Sequence, residues 1–113
     1  MPIKRGEIYW AVLDPARGSE QAGHRPVVVL QNNIGNEFSP TTIVAPLTTK
    51  KFSKEYPTNV AIPRSSGILK EDSVVLLSQI RTIDKSRLGK KVTSLTPSYL
   101  HLVDEAVRNS LSV

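Results

Sequence analysis

Pro26 stands directly in front of Val27-Val28-Val29-Leu30, and this junction constrains the chain more than any other stretch. Three valines and a leucine favour a strand, because β-branched side chains fit a pleated, half-buried surface. Proline is tolerated at the first residue of a strand, and it pushes the residue before it into an extended conformation. Arg25 is therefore held extended at a strand entrance, after the glycine-punctuated loop Gly18-Ser19-Glu20-Gln21-Ala22-Gly23-His24. Short apolar runs of this kind recur. Ile8 to Leu13 reads as a first strand, broken by Asp14-Pro15, and Pro26 to Gln31 as a second. Thr41 to Thr48 reads as a third, with Pro46 demoting its far end to an edge or a bulge. Asn59 to Ile62 is a fourth, and Ser73 to Ile80 a fifth, apolar enough to be buried on both faces. Lys90 to Thr93 makes a short last strand. Asn32 to Asn36 reads as a helical turn or turn cluster, Arg64 to Gly67 as a turn, and Asp84 as the cap of a short turn over Lys85 to Leu88.

A long helical period begins at Thr96-Pro97, a hydroxyl N-cap with proline at the first helical position. From there to Leu111 the residues Tyr99, Leu100, Leu102, Val103, Ala106, Val107 and Leu111 form one apolar stripe, which reads as core packing. Five or six short strands and one terminal amphipathic helix predict a mainly β fold, a small, strongly curved antiparallel barrel with a C-terminal α-helix packed on it. The chain has 113 residues, so one domain over residues 1–113 is expected.

Charge narrows the partners. Fifteen Lys and Arg against ten Asp and Glu give +5, which points to a polyanion and most simply to nucleic acid. The absence of cysteine removes disulfides, thiol nucleophiles and sulfur-ligated metals. The N-terminus, Met1 to Gly6, carries no apolar stretch of signal-peptide length. No apolar run approaches the ~20 residues that span a bilayer, so a cytoplasmic chain with no membrane partner is expected.

No metal-ligand spacing, phosphate-binding glycine loop or serine-hydrolase elbow is present, so no metal and no cofactor is expected. Ser19 and His24 share a loop without an evident partner to orient the histidine, and His101 falls on the helix surface. What remains is basic and polar: Arg25, Thr48, Thr49, Lys50, Lys51, Lys54, Gln79 and Arg81. These are phosphate and base-edge partners. If the second and third strands meet, the Arg25 guanidinium and the Thr48 hydroxyl can together stabilise charge on a phosphorane, as an oxyanion hole does. RNA brings its own nucleophile, the 2′-hydroxyl, so this reaction needs neither a metal nor a covalent residue.

Four ordered stretches resemble the MazF/PemK family of toxin endoribonucleases: Lys4 to Tyr9, Gly18 to Pro26, Ile43 to Thr48, and Leu77 to Asp84. The resemblance implies an SH3-like barrel that dimerises. It implies metal-independent cutting of single-stranded RNA at short sequences, leaving a 2′,3′-cyclic phosphate and a 5′-hydroxyl. It puts the catalytic pair on Arg25 and Thr48, and Glu20, Gln21 and the Gln79–Arg81 segment near the RNA path; Ser19, Gly23, Thr49 and Lys50, beside these in sequence, are further candidates for binding the substrate. It also implies a cognate antitoxin whose acidic, flexible tail covers the groove. Arginine, with a pKa above ~12, is a poor base unless its site depresses that value heavily, so a water relay stands open beside it as the base. In that case Arg25 stabilises the phosphorane and gives the late proton to the leaving oxygen. The loop Thr49 to Tyr56, with its lysines, is expected to help set specificity. The alternatives are a CcdB-like gyrase-inhibiting toxin on the same fold, or a non-catalytic nucleic-acid-binding barrel. The first acts through its C-terminal end, but Arg108 to Val113 carries no aromatic anchor. The second needs a stacking platform, and the chain has only six aromatics.

Overall fold

The computed structural model describes residues 2–15 and 17–113. Its strands are β1 (Glu7–Val12), β2 (His24–Val29), β3 (Thr41–Thr48), β4 (Asn59–Ile62), β5 (Ser73–Leu76), β6 (Arg81–Asp84) and β7 (Leu88–Ser94). A short helix, α1 (Asn33–Phe38), lies between β2 and β3, and α2 (Pro97–Leu111) closes the chain. All pairings are antiparallel, in the order β4-β5-β3-β2-β1-β7, with β6 on β3. The fold is therefore mainly β with a C-terminal helix, as expected. The SH3-like barrel is an open one: among the described residues β4 and β7, at the two ends of the path, do not pair with each other.

Two sequence expectations change. Pro46 marks neither an edge nor a bulge against β2: it is buried in a central strand, opposite Val27, with no shift of register. Along the other side of β3, β6 pairs with Thr41 to Val44 and β5 with Leu47 and Thr48. Pro46, which has no N–H to give, falls in the gap between these partners. The run Ser73 to Ile80 is not one strand either. It breaks after Leu76 into a single 3₁₀ turn, Leu77–Gln79, before β6 begins. The Leu77 N–H bonds to the Thr58 carbonyl at 2.8 Å and its side chain is fully buried, so tertiary contacts override local strand preference.

Each face of the sheet has its own core. Ile8, Val28, Ala45, Leu47 and Leu77 pack with Val103 and Ala106 of α2 on one face. Ala11, Leu13, Val27, Val44 and Ile83 pack on the other. Adjacent Val27 and Val28 serve opposite faces, the alternation a strand imposes. The stripe on α2 is wider than its contact. Val103 and Ala106 are buried, while Leu102 and Leu111 stay 45% and 56% exposed. Gly6 lets β1 pass under this helix. Its φ of +89° disfavours any side chain, and a Cβ there would meet Leu100 Cδ2 at 3.3 Å.

Candidate active site

The site begins with register. β2 and β3 pair Val29 with Val44, Val28 with Ala45 and Val27 with Pro46. Carried two residues further, the same register sets Arg25 opposite Thr48. Both line one cleft of about 470 Å³. Thr48 is 7% exposed, and its Oγ1 accepts from the Lys50 N–H at 3.1 Å. The hydroxyl proton is thereby left to donate outward. Arg25 Nε donates to the Ala22 carbonyl at 2.8 Å, and among the described residues nothing accepts from its two terminal nitrogens. The guanidinium is anchored at one nitrogen and presents the other two. Gly23, at φ +76°, turns the loop into β2; its N–H donates to Asp14 Oδ1 at 2.9 Å, and its carbonyl accepts from the Leu13 N–H at 2.9 Å.

Ser19, Glu20, Gln21, Gln79 and Arg81 gather around a second cleft of about 380 Å³, with Pro46 in its wall. The two clefts approach each other along β3, since Pro46 lines one and Leu47 and Thr48 the other. The 3₁₀ turn aims Gln79 at the loop: its Oε1 accepts from the Gln21 N–H at 2.7 Å and its Nε2 donates to the Ser19 carbonyl at 3.3 Å. Arg81 Nη1 donates to the Leu13 carbonyl at 3.0 Å. Gln21 Oε1 is buried and has no hydrogen-bond partner among the described residues. The Glu20 carboxylate is used inside the loop, accepting from the Arg17 N–H.

The residues of the lysine loop do not all gather at this site. Thr49 lines the Arg25 cleft. Lys50 lies 5.6 Å from the centroid of the Phe52 ring, a cation–π distance. Lys54 lines a separate groove against α2 with Tyr56 and Leu102. Conversely, Trp10, His24, Lys70 and Glu71 share the Arg25 cleft, and residue types alone gave no reason to place them there. Trp10 sits in a strand that looks like core, and strand alternation cannot reveal where the helix stops covering it. Among the described residues no group of three or more His, Asp or Glu converges as a metal site, and no helix is long and apolar enough to cross a membrane.

A small curved antiparallel sheet with a C-terminal helix is the architecture of a known toxin class. Residues 4–111 match the family of PemK-like, MazF-like toxins of type II toxin-antitoxin systems, and the chain belongs to that family. It is 50% identical over 113 residues to Endoribonuclease EndoA of Bacillus subtilis (strain 168), covering all of this chain and 97% of that one. Its structure is similar to that of MazF from Deinococcus radiodurans, with a TM-score of 0.81, 26% identity, and coverage of 100% of this chain and 99% of that one. The same fold occurs in a mycobacterial endoribonuclease solved with its cognate antitoxin, at a TM-score of 0.81 and 24% identity, covering 98% and 96% of the two chains.

Proposed function

We propose that this toxin endoribonuclease cuts single-stranded RNA at short sequences without a metal ion, and that Arg25 and Thr48 are its catalytic pair. The observation that carries this is that Arg25 and Thr48 line one cleft just beyond the last β2–β3 pair, Val27 with Pro46, each with donors to spare. The 2′-oxygen attacks the neighbouring phosphorus and loses its proton to a base. The bond from phosphorus to the 5′-oxygen then breaks, and that oxygen takes up a proton. The products are a 2′,3′-cyclic phosphate and a 5′-hydroxyl. Between these steps the phosphorane carries extra negative charge. The two free nitrogens of Arg25 match its non-bridging oxygens, and the Thr48 O–H adds a third donor. Ser19, Glu20, Gln21, Gly23, Thr49, Lys50, Gln79 and Arg81 lie along the RNA path in this reading. A homodimer in the cytoplasm and an antitoxin with an acidic, flexible tail complete it.

Incubation with a long RNA and excess chelator, followed by mapping of the cut ends, tests the chemistry. Cyclic phosphate ends are expected, and a 2′-deoxy sugar just 5′ of the cut should block cleavage. Cutting of that deoxy substrate would instead implicate activated water. The acidic tail and the RNA should compete for the cleft, so simultaneous binding of both would remove the shared site. RNA affinity should fall with salt at a slope of about −0.7 per neutralised phosphate.

A further inference from the structure

We infer that Trp10 and His24 form a stacking platform for an unpaired base of the RNA, beside the phosphate that Arg25 and Thr48 hold; this rests on the catalytic reading above. Trp10 pairs with Pro26, and Val12 with His24, so alternation brings the side chains of Trp10 and His24 to one face of neighbouring strands. Their ring centroids are 5.1 Å apart and tilted by 35°, an angle that leaves the indole unsealed by its neighbour. Ile8, on the same face of β1, is fully buried, whereas Trp10 is 38% exposed. The difference is helix coverage: Ile8 belongs to the core that Val103 and Ala106 of α2 close, and Trp10 does not.

A second observation comes from β7. Ile8 pairs with Thr93 but Tyr9 pairs with Lys91, so Val92 is an extra residue at a register shift. Bulges of this kind re-aim side chains beside functional sites. Val92, 39% exposed, lines the same cleft as Trp10, Arg25 and Thr48. Because Trp10, His24 and Val92 line the same cleft as Arg25 and Thr48, at the end of the paired strands, the open apolar surface is continuous with the proposed catalytic pair. Charge decides which part of the RNA lies here. Glu71, in the same cleft, repels phosphate but accepts from the exocyclic amine of a base, while Lys70 suits the backbone next to it. Every base has a π-face, so a platform of this kind adds affinity with little sequence preference.

The chain has one tryptophan, which makes its fluorescence a direct reporter. The probe is an RNA of the mapped cleavage sequence with a 2′-deoxy sugar at the cut. Saturating binding, followed by anisotropy of a label on the RNA, should quench the Trp10 emission in parallel. Trp10→Leu should raise KM by about 5- to 150-fold, the equivalent of one base–aromatic stack, with kcat little changed. Trp10→Phe should recover most of that loss. The salt slope of RNA binding should be unaltered, because no phosphate contact is removed. Emission indifferent to bound RNA overturns the platform, as does a wild-type KM in Trp10→Leu. Emission that follows protein concentration instead of RNA would assign the ring to a second copy of the chain. A response to an acidic peptide with none to bound RNA would assign it to the antitoxin; either result overturns the inference. Arg25→Ala, assayed in parallel, keeps the two readings apart. If it abolishes cleavage while Trp10→Leu changes nothing, the platform alone falls.

Discussion

The two ends of the central strands are built on opposite rules, and β3 shows this most plainly. At one end Thr42 is fully buried, and its hydroxyl donates to Asn36 Oδ1 at 2.8 Å. Asn36 Nδ2 in turn donates to the Gln31 carbonyl at 2.8 Å, and Gln31 Nε2 to the Thr41 carbonyl at 3.0 Å. Around this knot Arg5 Nε donates to the Leu30 carbonyl, its Nη2 meets Asp104 of α2, and Lys85 reaches the Asn36 carbonyl. Six residues along the same strand, Thr48 is also buried, yet it only accepts, and Arg25 beside it keeps free donors. A buried polar group without partners destabilises a fold. At the anchored end the buried polar groups satisfy one another, while at the other end Arg25 and Thr48 keep donors that no described residue takes up.

The largest effects should separate the ends by kind. Arg25→Ala and Thr48→Ala should each lower cleavage by about 10²–10³-fold, the cost of one preorganised donor. Neither should move the melting midpoint appreciably, since neither side chain holds a partner element. Near-normal cleavage by either purified variant would remove that residue from the site. At the other end the pattern should invert. Asn36→Ala strips the acceptor from Thr42 and the donor from Gln31, and should cost roughly 1–3 kcal/mol of stability. Its kcat/KM, measured well below the transition, should stay as wild type. A large loss of activity there would mean that the anchored end also shapes the cleft.

The lysine loop offers a finer division within the open end. Lys50 follows Thr48 by two residues, while Lys54 faces α2 across a different groove. Lys50→Glu should therefore weaken RNA binding and change the salt slope by about 0.7 for one lost phosphate contact. Lys54→Glu should leave both nearly unchanged. Equal effects of the two would put both lysines on the RNA path.

What the sequence made legible follows the same division between local and distant causes. The bounds of β3 and of α2 are readable because alternation, the Thr96 cap and Pro97 act within a few residues. The break after Leu76 is not readable, because a carbonyl on a distant loop, that of Thr58, fixes it. Nor is the placement of Pro46, which depends on where β6 gives way to β5 along β3. At the candidate site, the Pro26 junction marks Arg25 as extended at a strand entrance. Its juxtaposition with Thr48, however, is a matter of register between strands. Trp10 is the furthest from legible: its exposure depends on the reach of a helix almost ninety residues later in the chain.

The smallest effect concerns the start of β1, at the anchored end. Glu7 Oε1 accepts from the Lys4 N–H at 2.6 Å and from the Tyr9 hydroxyl at 3.0 Å, and Oε2 meets Lys91 Nζ at 2.6 Å. Burial alone pushes this carboxyl up, but the bond from Lys91, with those from Lys4 and Tyr9, outweighs it and holds Glu7 below its ordinary value of 4.5. Tyr9 responds in the opposite sense. Burial, reinforced by its bond to Glu7, pushes the phenol up to about 12. A depressed carboxyl stabilises the fold above its unfolded pKa, and that contribution is lost as pH falls through the folded value. The stability gap between wild type and Glu7→Gln should thus be constant from neutral pH down to about pH 5 and shrink below it as the carboxyl protonates. Tyr9 contributes in the alkaline window, with stability present below 10 and lost as pH rises through about 12. In Glu7→Gln its phenolate absorbance should appear at lower pH than in wild type, yet still above the ordinary range, because burial remains. A pH-independent gap would show that the Glu7 charge plays no part in anchoring β1. Cleavage at neutral pH should be unaffected by this substitution, because Glu7 and Arg25 stand at opposite ends of the paired strands. A drop in kcat without a change in stability would mean that charge at the anchored end reaches the cleft, and the division between the two ends would fail.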